Sequence, residues 1–210
     1  MMAKKFFSGL LLVMMVVSFS AAVAWSEDTP QVDSDTPDSR YYRDGFFVGV
    51  DLGVGVGELK FVKDGDKHVG DKETGALAGF RAGYAFSRVF VLDAGLYGYS
   101  IYGGDPKLQL AAAMVTGNFY PLPDKGYFLK VGVGRGRVDV DTEIDGNTLE
   151  FTEIEGNMFG LGFGVEFPMG GKFLVGGSYD YRLTYLDDQD DVTDLVLRTS
   201  GLTIQGKLYF

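Results

Sequence analysis

The stretch FFVGVDLGVGVG at residues 46–57 alternates without a break. Phe46, Val48, Val50, Leu52, Val54 and Val56 fall on one face of an extended chain. Phe47, Gly49, Asp51, Gly53, Gly55 and Gly57 fall on the other. An amphipathic helix repeats its apolar residues every 3.6 positions, so a strict period of two selects a strand. One face is large and apolar, the other small or charged.

The pattern returns seven more times, over about 75–86, 89–101, 108–120, 127–138, 156–167, 173–185 and in the closing GLTIQGKLYF. Segment 156–167 is typical, with Phe159, Leu161, Phe163, Val165 and Phe167 against Gly160, Gly162, Gly164 and Glu166. Segment 108–120, LQLAAAMVTGNFY, alternates poorly, and its faces stay unassigned. A half-buried soluble sheet turns its apolar face to a core. A small barrel in lipid turns the same face outward and its small or polar residues inward. No segment has 18 consecutive apolar residues, so no membrane helix is expected. Strands of about 9–11 residues can cross a membrane without one.

The connections alternate in length. Residues 87–88, 121–126 and 168–172 are tight turns, whereas 58–74, 139–155 and 186–198 are long. Short turns on one rim and longer loops on the other are the asymmetry of outer-membrane barrels. Aromatics sort to the rims as well. Phe46, Tyr84, Phe86, Phe90, Tyr120, Tyr127, Phe167, Phe173 and Phe210 crowd the short-turn rim, and Tyr99, Tyr102, Tyr181 and Tyr185 lie toward the other. Two such belts fit two membrane–water interfaces. Asp64-Gly65 and Asp145-Gly146 mark the points where long loops would fold back as hairpins. A three-residue loop at each is expected, because a two-residue turn would pair an outward position with an inward one.

The 31 glycines among 210 residues carry no G-X-Y period, so collagen is excluded. Absence of cysteine excludes thiol catalysis, thiolate metal sites and disulfides. The net charge of −10 argues against a nucleic-acid partner. Lys4 and Lys5, the apolar run FFSGLLLVMMVV and the AVA at 22–24 read as a cleaved signal peptide over 1–24. Residues 25–44, WSEDTPQVDSDTPDSRYYRD, read as a short disordered acidic lead-in to a barrel domain over 45–210.

The whole pattern resembles the OmpA/OmpX-like small outer-membrane β-barrels of Gram-negative bacteria. The fold that the resemblance implies is all-β, an eight-stranded up-and-down antiparallel transmembrane barrel in the cell outer membrane. In that family the final strand ends on Phe after alternating apolar residues, and the barrel-assembly machinery reads it. Leu202, Ile204, Leu208 and Phe210 match that assembly signal, while Gly206 occupies one alternate position. The peptidoglycan-binding domain of some relatives is not expected after residue 210.

The inward positions carry Asp51, Asp93, Glu166 and Asp180 against Arg81, Lys130, Arg182 and Lys207. Eight strands leave an interior only wide enough for side chains to fill. A lumen packed by an ion network is therefore expected, rather than an ion path. His68, the only histidine, invites comparison with relatives that modify lipid A through a His and a Ser, and Ser100 is the only rim serine on the next hairpin. A solvated loop histidine is the preferred reading. The stretch from Asp141, DTEIDGNTLEFT, imitates a calcium loop but has Thr152 at its twelfth position. The expected role is structural or surface-interacting, with no catalysis, cofactor or metal site. The alternatives are a narrow channel, a lipid A-modifying enzyme and a soluble calyx. Expected partners are outer-membrane lipid and lipopolysaccharide, the assembly machinery and divalent cations at the acidic loops. The expected state is a monomer.

Overall fold

The computed structural model describes residues 43–63, 65–101, 107–144, 147–188 and 192–210, with no side-chain description at 107 and 141–152. The expected signal peptide, residues 25–42 of the lead-in, and Tyr102 lie outside the described residues.

Among the described residues nine strands form one antiparallel sheet: β1 Gly45–Lys63, β2 Asp66–Val69, β3 Glu73–Ser87, β4 Phe90–Ser100, β5 Lys107–Leu122, β6 Tyr127–Ile144, β7 Asn147–Gly170, β8 Phe173–Leu186 and β9 Val192–Tyr209. Eight of them are staves, each paired with the next in order, and β1 pairs with β9 to close the barrel. The seam runs from Phe47 opposite Tyr209 to Lys63 opposite Val192. β2 pairs only with the end of β1. Closure leaves no edge of the barrel wall unpaired, which a sheet in hydrocarbon requires.

The short-turn rim holds the starts of β1, β4, β6 and β8. β3 passes to β4 through Arg88 and Val89. A 3-10 turn, Pro123–Lys125, joins β5 to β6 and ends on Gly126 at φ 73°. On the opposite rim the strands overshoot what a bilayer needs. β7 has 24 residues and β6 has 18, against about 9–11 for a crossing. Most of the expected long loops are therefore strand.

At both D-G pairs two residues separate the positions that pair, not the three expected; Asp64, Asp145 and Gly146 themselves lie outside the described residues. Lys63 pairs with Asp66, and Ile144 pairs with Asn147. The parity mismatch is absorbed further down the hairpins. In β6–β7 the register slips between Val138 and Val140, where β7 carries an extra residue at a bulge. Glu153 sits there at φ 62°, and its N–H donates to Asp139 Oδ1 at 2.7 Å. In the first hairpin the extra residue falls between Val69 and Glu73, opposite Gly57–Lys60, and β9 carries a separate bulge opposite Lys60–Val62, with Asp194 at φ 52°. A bulge inserts one residue and restores which face points inward.

Side-chain direction divides β1, β6, β7 and β9 at a definite height. In the lower part the outward residues are apolar, and the inward ones carry the charges above a buried aromatic ring at the rim. Above that the sense inverts. Glu58, Arg135, Arg137 and Arg198 face out, while Leu59, Phe61, Val138, Ile154 and Leu197 are buried inside. The lower part is an inside-out protein suited to lipid. The upper part is an ordinary half-buried sheet closed on a hydrophobic core.

β5, whose faces the sequence left unassigned, turns Leu110, Ala112, Met114, Thr116, Asn118 and Tyr120 inward and Ala111, Ala113, Val115 and Phe119 outward. Tyr120 is thus no belt residue; it is fully buried in the lumen. Tyr99 is likewise inside, and its hydroxyl donates to the Glu73 carbonyl at 2.6 Å. It fits because Gly57 faces it; a Cβ there would stand 2.8 Å from the Tyr99 ring. The outward belt on the short-turn rim keeps Phe46, Tyr84, Phe86, Phe90, Tyr127, Phe167, Phe173 and Phe210. On the other side, Tyr181 and Tyr185 remain outward.

Candidate functional site: the barrel lumen

Three layers fill the interior. At the short-turn rim Phe47, Val91, Tyr120, Phe128, Leu174 and Tyr209 form an apolar, mostly aromatic floor. Phe47 and Tyr209 stack at 5.2 Å, and Tyr120 meets Phe128 at 5.6 Å between ring centroids. Above lies a belt of charge. On top is the larger apolar cluster, which includes Leu59, Phe61, Leu108, Met114, Ile154 and Leu197.

The structure places all eight inward charges named from the sequence in the middle belt. Seven are buried and Lys130 is nearly so. They form three groups, of which the first two are joined through Gln205. Arg81 donates to Asp51 Oδ1 at 2.8 Å, lies 3.8 Å from Asp93 and donates to Gln205 Oε1. Asn118 Nδ2 donates to the same Asp93 oxygen, Oδ2, at 2.6 Å.

The second group centres on Glu166. Lys207 forms an ion pair with it. The Tyr120 hydroxyl donates at 3.0 Å, and Gln205 Nε2 donates at 3.2 Å. Gln205 therefore bridges the two groups, accepting from Arg81 and donating to Glu166. Lys207 also donates to the Tyr120 hydroxyl at 3.0 Å and lies 5.4 Å from the Phe47 and Phe128 ring centroids. The aromatic floor thus helps to hold a desolvated ammonium.

The third group centres on Asp180. Lys130 Nζ approaches it at 2.7 Å and Arg182 at 3.7 Å. Ser178 Oγ donates to Asp180 Oδ2 at 3.0 Å, and Arg182 stands over the Tyr97 ring at 4.9 Å. Gly162 makes the space. A Cβ there would lie 2.5 Å from Asp180 Oδ1 and 2.9 Å from Lys130 Cε.

One further cation, from ahead of β1, enters the belt. Arg43 belongs to the stretch read from sequence as a disordered lead-in, yet its side chain is buried. Its Nε is 3.3 Å from Glu166 Oε2, its Nη1 donates to the Pro123 carbonyl at 2.8 Å, and its guanidinium lies 3.9 Å from the Tyr120 ring centroid. No period or spacing marks Arg43 in the sequence; its only signal is adjacency to the first strand.

A cavity of about 10 Å³ remains beside Tyr97, Thr116, Lys130, Asp180 and Arg182. That is room for roughly one water.

The other candidates lie outside this belt: His68, read from sequence as a solvated loop residue, is instead on β2 and half-buried, and Ser100 is half-buried too. His68 pairs across the first hairpin with Phe61 and stacks on its ring at 5.0 Å. Ser100 sits on β4 between Ala76 and Gln109. The acidic hairpin is not free of basic partners, because β6 supplies them. Arg137 binds Glu153 at 3.0 Å and Glu155 at 3.4 Å, and Arg135 binds Glu155 at 3.4 Å. Asp188 Oδ1 accepts from the Asp194 N–H. Among the described residues no group of three or more metal-ligating side chains converges. The side chains of the Asp141–Thr152 stretch lie outside the described ones.

The assembly-signal residues face outward on β9. Leu202 and Ile204 are 64% and 71% exposed, and Phe210 is 57% exposed. The Phe210 N–H donates to the Phe46 carbonyl at 2.9 Å, which extends the seam by one bond.

Comparison with known proteins gives a consistent picture. A family model described as outer membrane protein beta-barrel domain matches residues 9–205. No curated protein matches the chain. Among solved structures, Neisserial surface protein A is similar at a TM-score of 0.53 and 16% identity, over 81% of this chain and 100% of that one. Ail, the attachment invasion locus protein of Yersinia pestis, follows at 0.48 and 16%, over 79% and 99%. OprG from Pseudomonas aeruginosa gives 0.44 and 13%, over 81% and 99%. At such identities the first of these shows a shared fold and nothing finer.

Among the described residues, Arg81 is the cation that pairs with both Asp51 and Asp93. Arg81→Ala should therefore destabilise the barrel by about 3–5 kcal/mol, the cost of stranding buried charge. The shift will appear as a lower temperature for the heat-induced change in gel mobility. An unchanged transition would mean that water reaches these carboxylates.

Proposed function

The chain belongs to the outer membrane protein beta-barrel domain family, and on that footing we propose that it is a sealed outer-membrane barrel with a structural or surface-interaction role and no catalysis. The observation that carries this reading is the filled lumen. An aromatic floor, an ion network and an apolar upper core lie in series across it. A narrow channel would need a continuous aqueous path through all three layers. A cavity of about 10 Å³ supports no such path.

With the lumen closed, the outer surface is what a partner meets. The lower wall is apolar and faces lipid. Above it, the inverted part of the staves carries outward charge, with half-buried Glu58 and Lys60 and exposed Arg198 on β1 and β9, and exposed Arg135, Arg137, Glu153 and Glu155 on β6 and β7. Arginines just beyond a lipid-facing band suit the phosphates of lipopolysaccharide. Glu153 and Glu155 are already engaged by arginines, and Asp139 and Asp188 accept from backbone N–H groups, so the reading does not extend to a built divalent-cation site. Nor does it extend to lipid A modification. A nucleophile and its base need to lie within hydrogen-bond reach, whereas His68 is stacked on Phe61 and Ser100 belongs to a different pairing.

We also propose that Leu202, Ile204, Leu208 and Phe210 act as the assembly signal, and that the protein works as a monomer. The outward row on β9 supports the first, and a sheet closed on itself supports the second.

Purified protein in a planar lipid bilayer should give no discrete openings. Steady, uniform openings would overturn the sealed-barrel reading. Deleting Phe210 should lower outer-membrane levels several-fold and leave protein in the periplasm; normal levels would remove the assembly role.

A further inference from the structure

Charge balance does not account for Arg43. The staves already carry four inward acids and four inward bases among the described residues, and Arg43 adds a fifth base. Burying an arginine costs several kcal/mol before its partners repay it. An exposed residue at the foot of β1 would avoid that cost altogether. Two residues before the sheet begins to pair, the chain instead turns this side chain inward until its exposure reaches 0%.

Its partners lie far from β1. Glu166 is on β7 and Pro123 is in the turn between β5 and β6. In the closed order of the staves, each is at least three strands from β1 in either direction. The side chain therefore spans the short-turn mouth, and it lies against Tyr120, the floor residue that donates to Glu166. It ties together the approach to β1, a rim turn and the lowest acid of the network. Each bond differs in kind: an ion pair, a bond to a backbone carbonyl and a ring face. Few residues other than arginine supply all three from one planar group.

We propose that Arg43 is a crossbar that closes the periplasmic mouth. Arg43, although it precedes β1, is then a working part of the barrel, and the floor is watertight only when its side chain is docked. The inference rests on the sealed-lumen reading but goes beyond it, because it assigns the lower seal to one residue outside the staves. The upper apolar core is untouched by its loss, so opening the crossbar should wet the charge belt from below without creating a through-channel.

The chain has no cysteine, so a single introduced thiol reports on access. Ser178→Cys places one in the buried belt at a nearly isosteric position. Labelling by a small neutral methanethiosulfonate in lipid nanodiscs should be slow in that background. Adding Arg43→Ala should speed labelling at least tenfold, and Arg43→Gln, which keeps length and donors but no charge, should speed it less. Arg88→Ala, which breaks an exposed pair with Asp124 at the same rim, should leave the rate unchanged. All variants must show the folded gel mobility; if Arg43→Ala does not fold, Arg43→Gln carries the test. Parent-like labelling in the folded Arg43 variants would overturn the crossbar. Equal acceleration by Arg88→Ala would overturn it too, since the rim would then be loosening generally. If bilayer openings appear in the parent protein, the sealed-lumen reading fails on its own, independently of these rates.

Discussion

The pairing of β1 with β9 is the contact on which the rest depends. A sheet in hydrocarbon cannot leave a row of N–H and C=O groups without partners, since each costs several kcal/mol there. Eight staves can satisfy that demand only by closing. Closure at eight strands fixes a bore that side chains fill, so every inward residue must pack against those opposite. Charged residues placed inside must find partners or strand their charge. The groups around Arg81, Glu166 and Asp180 are the consequence.

The inversion of the wall sets where the membrane ends. Below it, hydrocarbon is outside and polar groups have only one another inside. Above it, water is outside and the interior becomes a conventional hydrophobic core. The sheet itself continues through the change; only the phase of the alternation moves. The ion network is therefore capped on both sides by apolar layers, the floor of Phe47, Phe128 and Tyr209 below and the cluster of Leu59, Phe61 and Leu197 above. Low polarity on both sides strengthens each ion pair and raises the cost of breaking one.

Much of this was legible in the sequence. Period-two alternation carried the strand count, the lipid-facing side and the identity of the inward charges, because in a closed small barrel each follows from position parity alone. The inversion was also written there, in GELKFVK and RGRVDV, where charged and apolar residues exchange places. It was hidden because stretches beyond the apolar band were read as loops. Tyr99 and Tyr120 were placed in the belts because an aromatic near a rim fits either face; on β5 the small residues Ala111, Ala112 and Ala113 erased the parity that would have decided Tyr120. The two-residue spacing at the D-G pairs was rejected on a sound parity argument that overlooked an extra residue further along each hairpin. Arg43 could not be found by periodicity, since it precedes the first strand and meets its partners only through the closed topology.

The claim that most needs testing is that the middle of the lumen is shielded from water. Arg81 is its best reporter, buried among Asp51, Asp93 and Gln205. Nuclear magnetic resonance of the arginine side chains in lipid nanodiscs reads this directly. The account predicts separate, slowly exchanging guanidinium proton signals for Arg81, distinct from the averaged signals of Arg135 and Arg137 on the surface. Rapid exchange of the Arg81 protons with water, at the rate of those surface arginines, would contradict it.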